Sequence, residues 1–166
     1  MSQASLQFAK DVSAKANDAW LSGEYLEQVT PTTKQLLTYW FGDQYCENRE
    51  LNFHEGQRQA ILNIIYLHEV LKTKNIFEAY EQIAPDLLLR SEGGLAEISK
   101  TKYSHPKYAI KMATGTGKTW VLSATLIWQY LNAKHEDGNF TKNFLIVAPG
   151  LIVYERLLEI GRASCR

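Results

Sequence analysis

The stretch YAIKMATGTGKTWVL, residues 108–122, decides which fold this sequence predicts. Its centre, TGTGKT (114–119), is built of small residues and glycines, which are costly inside a helix or a strand. The preceding YAIKMA (108–113) has the pattern of a strand, and the following TWVLSATLIWQYLNAK (119–134) has that of a helix. The sequence therefore predicts a strand, a loop and a helix in that order.

A second apolar segment follows the predicted helix. HEDGNFTKN (135–143) is polar and predicts a turn, whereas FLIVAPG (144–150) is continuously apolar, as buried parallel strands are. Strand, loop, helix and strand together form a βαβ unit with a right-handed crossover. We therefore expect an α/β fold in this part of the chain.

The glycine-rich loop has the composition of a phosphate-binding site. A helix N-terminus offers an anion several backbone N–H groups and a favourable dipole. Gly115 and Gly117 would let the loop curl so that successive amides point inward. Lys118 would reach the β- and γ-phosphates, and the Thr119 hydroxyl would ligate Mg²⁺. The pattern predicts that the chain binds ATP with Mg²⁺.

One position departs from the usual pattern G-x-x-x-x-G-K-[ST]. Met112 stands where the first glycine is expected. The alternative interpretation is a chance loop with an ordinary surface lysine. However, the loop follows a predicted strand and opens a predicted helix, which is the context that a phosphate-binding motif requires. We therefore favour phosphate binding.

The overall composition predicts a soluble, cytoplasmic protein. The 166 residues, of which 45% are hydrophobic, suffice for one domain with a core. The 18 basic and 18 acidic residues cancel, so bulk charge favours neither a nucleic acid nor a membrane. Cys46 and Cys165 form no disulfide framework, and the N-terminus has no signal-peptide pattern. No apolar run approaches the length of a membrane span.

The first part of the chain predicts helices. Apolar residues recur at helical spacing within residues 1–20, which predicts either a packing helix or a loosely docked tail. Thr30 followed by Pro31 is a helix-start signal, and the aromatic and leucine residues that follow it predict a short buried helix.

Two further helices are predicted before the glycine-rich loop. FHEGQRQAILNIIYLHEVLK (53–72) has a clear apolar face, on which His68 is expected to pack rather than to bind a metal. NIFEAYEQIAPDLLLR (75–90) continues as helix with a break at Pro85. The polar, glycine-bearing stretch over residues 91–107 predicts a surface loop.

Several segments resemble a known family. MATGTGKT (112–119) resembles motif I of superfamily 2 helicases, especially that of the helicase subunits of type I and type III restriction enzymes. FLIVAPGLIVYERL (144–157) is similar to their motif Ia, and FHEGQRQAI (53–61) to the upstream segment that holds the adenine. The stretches TPTTKQLLTYWF (30–41) and QRQAILNIIYLHEV (57–70) resemble the N-terminal region of a restriction-associated DEAD/DEAH helicase family.

The resemblance implies roles for the matching positions. The residues that would bind ATP and Mg²⁺, with the lysine also serving catalysis, are Thr114, Gly115, Thr116, Gly117, Lys118 and Thr119. Gln57 would contact the adenine; the alternative is a solvated glutamine at a helix start. Pro149 and Gly150 would lie along a nucleic-acid backbone; the alternative is a plain strand-to-helix turn. His54 and Glu55 depart from the basic residue and proline often found there.

The resemblance also implies a domain organisation. Residues 1–50 would form a helical N-terminal region, and residues 51–158 an incomplete RecA-like P-loop NTPase domain with a parallel sheet. A helical and loop insertion would span residues 72–106. EIGRASCR (159–166) is expected to be a non-native tail, because its coding string resembles a short-read sequencing adapter. The alternative is a genuine helix end capped by Gly161.

The activity that the resemblance implies is that of an ATP-dependent helicase or translocase. Its expected partners are double-stranded DNA and a modification (methyltransferase) subunit of a restriction endonuclease. The sequence has no DExH or DEAD box, and its one adjacent acidic pair, Glu136-Asp137, falls in a polar turn. We therefore expect this chain by itself to bind ATP without hydrolysing it.

Two alternatives come from other functional classes. One is another P-loop NTPase, such as a small-molecule kinase, that does not act on nucleic acid. The run APG (148–150) and the segment around Gln57 favour the helicase, because a kinase needs neither. The other is a non-catalytic interaction module with a decayed loop, against which the intact GKT (117–119) argues.

Overall fold

Helices dominate the computed structural model, which describes residues 3–90 and 105–147, together with Glu155 and Leu158. None of the helices in these residues is both long and apolar enough to cross a membrane. In chain order the elements are α1 (Gln3–Ser22), α2 (Glu24–Gln28), α3 (Pro31–Phe41), α4 (Asp43–Cys46), α5 (Glu55–Ile65), a π-helix (Tyr66–Val70), α6 (Ile76–Ile83), α7 (Pro85–Arg90) and α8 (Lys118–His135).

The predicted α/β fold, with the start of a RecA-like parallel sheet, is wrong for this part of the chain. Residues 108–113 and 144–147, predicted as strands, have no regular secondary structure, and no strand occurs elsewhere in the described ranges. Most of their apolar side chains are exposed, Leu145 to 91% and Val147 to 83%, while Met112 is half-buried against the core. A strand forms only by hydrogen bonding to a neighbour, and apolar composition supplies no such partner. Residues 148–150 of the second segment lie outside the described residues.

Helix α3 begins where the sequence predicts. The Thr30 side chain accepts a hydrogen bond from the Thr33 amide at 3.1 Å, and Pro31 occupies the first helical position. Proline suits this position because the amide it lacks would have no partner inside the helix. These contacts confirm the predicted helix start.

Helix α1 is a packed element. The Phe8 ring stacks on Tyr80 of α6 with 3.9 Å between ring centroids, and Val12 is buried beside them. These side chains belong to a small apolar cluster shared by α1 and α6, which comprises Phe8, Val12, Ala79, Tyr80, Ile83 and Ala84. Of the two alternatives for residues 1–20, the packing helix is confirmed.

Helix α8 docks on the N-terminal helices through a single stripe of side chains. The buried residues of α8 are spaced three or four apart, so they share one face: Val121, Ala124, Trp128 and Asn132. This face packs against α5 and α3. The ring of Phe53, which precedes the N-cap of α5, contacts the ring of Trp120 in the first turn of α8, with 5.7 Å between centroids. The packing therefore brings the start of α5 beside the glycine-rich loop.

The helix predicted over residues 53–72 changes geometry in its second half. It runs as α5 to Ile65 and continues as a π-helix over Tyr66–Val70. Within the π-helix, Glu69 is buried and accepts hydrogen bonds from three groups: the Thr30 amide at 2.8 Å, the Thr33 hydroxyl at 2.5 Å and the Trp128 indole at 2.6 Å. A single carboxylate thus joins α3, the π-helix and α8.

His68 packs as the sequence predicts. Its half-buried ring lies edge-on to Trp128 with 5.1 Å between centroids, and its Nε2 is 3.0 Å from the Asn139 carbonyl. Burial lowers the pKa of His68, against the opposing effects of the Asn139 carbonyl and of Glu69. The folded state therefore favours the neutral imidazole.

Acidification is expected to destabilise the protein through His68. Because its folded-state pKa lies below the ordinary value of about 6.5, the unfolded chain binds the proton more readily. His68 makes its full contribution to stability above a pH of about 6.5. As the pH falls from there towards the folded-state pKa, this contribution decreases by at most about 1.4 kcal/mol per pH unit. His68→Gln, which keeps a donor for the Asn139 carbonyl, should remove this loss.

Urea unfolding at about pH 7.5 and about pH 5.5 measures the effect, because this interval contains the ordinary pKa of histidine. The difference in free energy of unfolding between the two pH values should be smaller in His68→Gln than in the unsubstituted chain. Equal differences in both proteins would contradict the assignment to His68.

Candidate functional site

The loop that precedes α8 has the backbone conformation that glycine permits. Gly115 has φ of +80° and Gly117 has φ of +70°, both in the left-handed region. A Cβ added to Gly117 would lie 2.2 Å from Nε2 of Gln57, whereas one added to Gly115 would meet nothing within 4 Å. Gly117 is therefore required both for its dihedral angles and for its close approach to α5.

The two sides of the loop are tied together at Ala113. The Thr116 hydroxyl donates to the Ala113 carbonyl at 2.7 Å, and Nζ of Lys118 donates to the same oxygen at 2.6 Å. Lys118 is exposed and is the first residue of α8. Its ammonium group thus lies across the loop and can be reached from solvent.

The start of α8 has no side chain capping its first amides, although the Trp120 amide donates to the Gly117 carbonyl at 2.9 Å. Its N-cap is Gly117, which has no side chain with which to accept from the first amides of the helix. The dipole of this 18-residue helix adds partial positive charge at the same end. Thr119, half-buried in the first turn, adds a hydroxyl. An anion bound here would find backbone donors, a hydroxyl and an ammonium group within one turn.

Gln57 lies against this loop. It is buried, with 6% of its surface exposed, in the first turn of α5. Its Oε1 accepts from the His54 amide at 3.0 Å, and its Nε2 donates to the carbonyls of Thr116 at 3.1 Å and Gly117 at 3.4 Å. The structure thus brings Gln57 against the carbonyls of Thr116 and Gly117 in the glycine-rich loop.

His54 is a site residue that the sequence-based assignment does not include. It is the N-cap of α5 and forms a capping box with Gln57, while its Nε2 lies 2.9 Å from the Thr116 carbonyl. The spacing of a polar residue and a glutamine three positions later is the sequence signal for this box. Histidine is uncommon as an N-cap, and for this reason the pattern is easily missed.

The remaining predicted site residues divide into two groups. Thr114 is exposed in the turn that opens the glycine-rich loop. Pro149 and Gly150, predicted to lie along a nucleic acid, fall outside the described residues. The described ranges also contain no group of three metal-binding side chains among His, Cys, Asp and Glu.

The acidic pair of the sequence lies at the other end of α8. Glu136 accepts from the amide of Thr32 at 2.9 Å and from its hydroxyl at 2.6 Å, at the start of α3. The hydroxyl and amide of Thr32 hold the pKa of Glu136 below its usual value. Glu136 therefore caps α3 and does not face the glycine-rich loop.

Comparison with known families identifies the chain. The family model described as type III restriction enzyme, res subunit, matches residues 50–162, which is more than half of the sequence. The class is that of helicase-like proteins in an ATP-dependent, DNA-acting superfamily. Within this class, the chain belongs to the family of type III restriction enzyme res subunits. Neither the curated proteins nor the solved structures gave a match. The family membership confirms the resemblance found from the motifs.

Proposed function

We propose that this chain binds ATP and Mg²⁺ through residues 114–119 and supplies the ATP-binding part of a DNA helicase or translocase in a restriction enzyme. The main support is the geometry of the loop. Two glycines with positive φ precede α8, and the helix has a glycine as its N-cap. Because a glycine N-cap has no side chain to accept from the first amides of the helix, an anion such as a phosphate can accept from them instead.

The chemistry of the donor set fits a nucleoside triphosphate. Lys118 would exchange the Ala113 carbonyl, 2.6 Å from its Nζ, for a phosphate oxygen. The backbone amides of the loop and of Lys118 would cradle the remaining oxygens. The Thr119 hydroxyl is a hard oxygen donor of the kind that Mg²⁺ accepts. When bound, Mg²⁺ neutralises the charge of the phosphate chain.

Gln57 is proposed to contact the adenine from its position beside the loop. Its amide nitrogen already donates to the carbonyls of Thr116 and Gly117. To contact a base edge, the Gln57 amide group would have to share or release its hydrogen bond to one of these carbonyls. Such an exchange would couple occupancy of the base site to the conformation of the phosphate-binding loop.

Pro149 and Gly150 are proposed to track a nucleic-acid backbone, where main-chain amides meet phosphates without sequence preference. Double-stranded DNA is the proposed partner, because a restriction enzyme acts on it. A modification subunit and a cytoplasmic location stay predictions. The zero formal net charge is compatible with DNA binding, since a local basic groove is sufficient.

Duplex DNA is expected to stimulate ATP turnover by the full-length gene product that contains this chain. The stimulation should fall steeply as salt rises, because phosphate contacts release counterions. The 166-residue chain by itself should release no phosphate above background, since its sequence holds no DExH box to position water and Mg²⁺. Phosphate release with and without duplex DNA measures both effects.

Single-stranded DNA and RNA serve as matched nucleic-acid controls in the same assay. Turnover by the full-length product that is indifferent to all three nucleic acids would reject the motor and leave another P-loop NTPase as the better assignment. If the 166-residue chain released phosphate and Lys118→Ala abolished this release, hydrolysis would not require the acidic residue of a DExH box.

A further inference from the structure

Two side chains at the start of α5 hold the carbonyl groups of the glycine-rich loop. The Thr116 carbonyl lies 2.9 Å from Nε2 of His54 and 3.1 Å from Nε2 of Gln57. Gln57 also reaches the Gly117 carbonyl at 3.4 Å. Both side chains therefore act on the backbone of the loop from the side of α5.

The hydrogen bonds of His54 define its tautomer. Its Nδ1 lies 3.4 Å from the Gln57 amide, which can only donate, so Nδ1 is the acceptor. The Thr116 carbonyl can only accept, so Nε2 carries the proton and donates to it. Each ring nitrogen has one partner, and the neutral imidazole satisfies both. The exposed ring thus links the helix cap to the loop.

Fixing the Thr116 carbonyl also fixes the amide on the other side of the same peptide group. The described chain has no cis peptide bond, so the C=O of Thr116 and the N–H of Gly117 point in opposite directions. With the carbonyl held towards α5, the Gly117 amide faces away from α5. Glycine has the largest backbone freedom of any residue, so this orientation needs a restraint from outside the loop.

We infer that His54 is a positioning residue for phosphate binding: it holds the peptide group between Thr116 and Gly117 so that the Gly117 amide is available to a phosphate oxygen. His54 itself does not touch the nucleotide and acts through the Thr116 carbonyl. The inference rests on the proposed ATP binding at this loop. It gives a purpose to a residue that departs from the basic side chain often found at this position in similar helicases.

Two substitutions of His54 distinguish its capping of α5 from its hydrogen bond to the Thr116 carbonyl. In His54→Asn, the side-chain oxygen can still accept from the Gln57 amide, but the side chain is too short to reach Thr116. In His54→Gln, the side-chain amide is long enough to donate to the Thr116 carbonyl. ATP affinity should fall about fivefold to tenfold in His54→Asn, which corresponds to one ordinary hydrogen bond. It should stay near that of the unsubstituted chain in His54→Gln.

A nuclear magnetic resonance experiment on the 166-residue chain reports on the peptide group directly. Carbonyl-¹³C threonine and ¹⁵N glycine label two peptide groups, because Thr-Gly occurs only at Thr114–Gly115 and Thr116–Gly117. The Gly117 nitrogen signal should move in His54→Asn and return towards its original position in His54→Gln. The Gly115 signal is the internal control, and Thr114→Ser assigns the two signals by removing one of the labelled pairs.

The outcomes distinguish the positioning role from the proposed ATP site. Loss of affinity in Lys118→Ala, with unchanged affinity in both His54 variants, would overturn the positioning role alone. A loss in His54→Gln that follows its melting temperature, with unchanged affinity in His54→Asn, which keeps the cap, would assign His54 to helix capping and likewise overturn it. If Lys118→Ala also binds ATP normally, the proposed site fails, and the Gly117 signal by itself decides whether His54 orients the peptide.

Discussion

Lys118→Ala is expected to weaken the binding of ATP to this chain about tenfold to a hundredfold. The substitution removes the ammonium group that spans the loop, and a hydrogen bond to a charged group contributes about 1.5–3 kcal/mol. Lys118 is exposed, and its Nζ donates to the neutral Ala113 carbonyl, 2.6 Å away. The loss should therefore come from the bound state and leave the fold intact. Titration with a fluorescent ATP analogue measures the affinity.

Lys134→Ala is the matched control for this substitution. Lys134 is exposed on the same helix α8, and 16 residues of helix separate it from Lys118, a distance of about 24 Å. Both variants change the net charge equally, so a non-specific electrostatic effect would weaken binding in both. If Lys118→Ala and the unsubstituted chain bound ATP with equal affinity, residues 114–119 would be rejected as the phosphate site.

The parts of the structure that the sequence predicts correctly depend on local chemistry. The sequence predicts a helix over 119–134, and α8 spans Lys118–His135, because the loop before it and the polar turn after it are local signals. Gly115 and Gly117 have the positive φ that a curled loop demands. Such features involve residues only a few positions apart, so a single sequence contains the information that specifies them.

The predicted strands failed because pairing is not local. Residues 108–113 and 144–147 have the apolar composition of strands, yet Ile110 is 44% and Leu145 91% exposed. Composition tells which segments can enter a sheet, whereas the hydrogen-bond partner comes from elsewhere in the chain. For the described residues, the helices α3, α5 and α8 provide the scaffold of the site without a sheet.

Two polar residues of structural importance were not identified from the sequence. His54 stands three residues before Gln57 at capping-box spacing, which is a usable signal once histidine is allowed as the cap. Glu69 stands one helical turn after Ile65, a core residue, and so falls on the apolar side of the predicted helix. A glutamate at such a position indicates buried partners, but their identity depends on the tertiary packing.

Glu69→Ala is expected to lower the free energy of unfolding by about 3–5 kcal/mol, because several buried donors lose their acceptor; this is a large part of the stability of a small domain. Glu69 has only 6% of its surface exposed. Its carboxylate accepts hydrogen bonds from the Thr30 amide, the Thr33 hydroxyl and the Trp128 indole. Removing it leaves the Thr30 amide and the Thr33 hydroxyl without this acceptor, while the Trp128 indole keeps the Thr33 oxygen at 3.0 Å. A buried donor that loses its partner costs about 1–3 kcal/mol. Urea unfolding followed by circular dichroism measures the loss.

Glu69→Gln keeps the shape of the side chain and gives a graded test of the same network. Its oxygen can still accept from Trp128 and Thr33, but its NH₂ group must then face the Thr30 amide, so one contact is lost and the cost should be about 1–3 kcal/mol. Glu81→Ala, an exposed glutamate on α6, controls for the charge and should change stability by less than about 0.5 kcal/mol. Comparable losses in Glu69→Ala and Glu81→Ala would contradict the view that one buried carboxylate holds α8, and with it the glycine-rich loop, against the N-terminal helices.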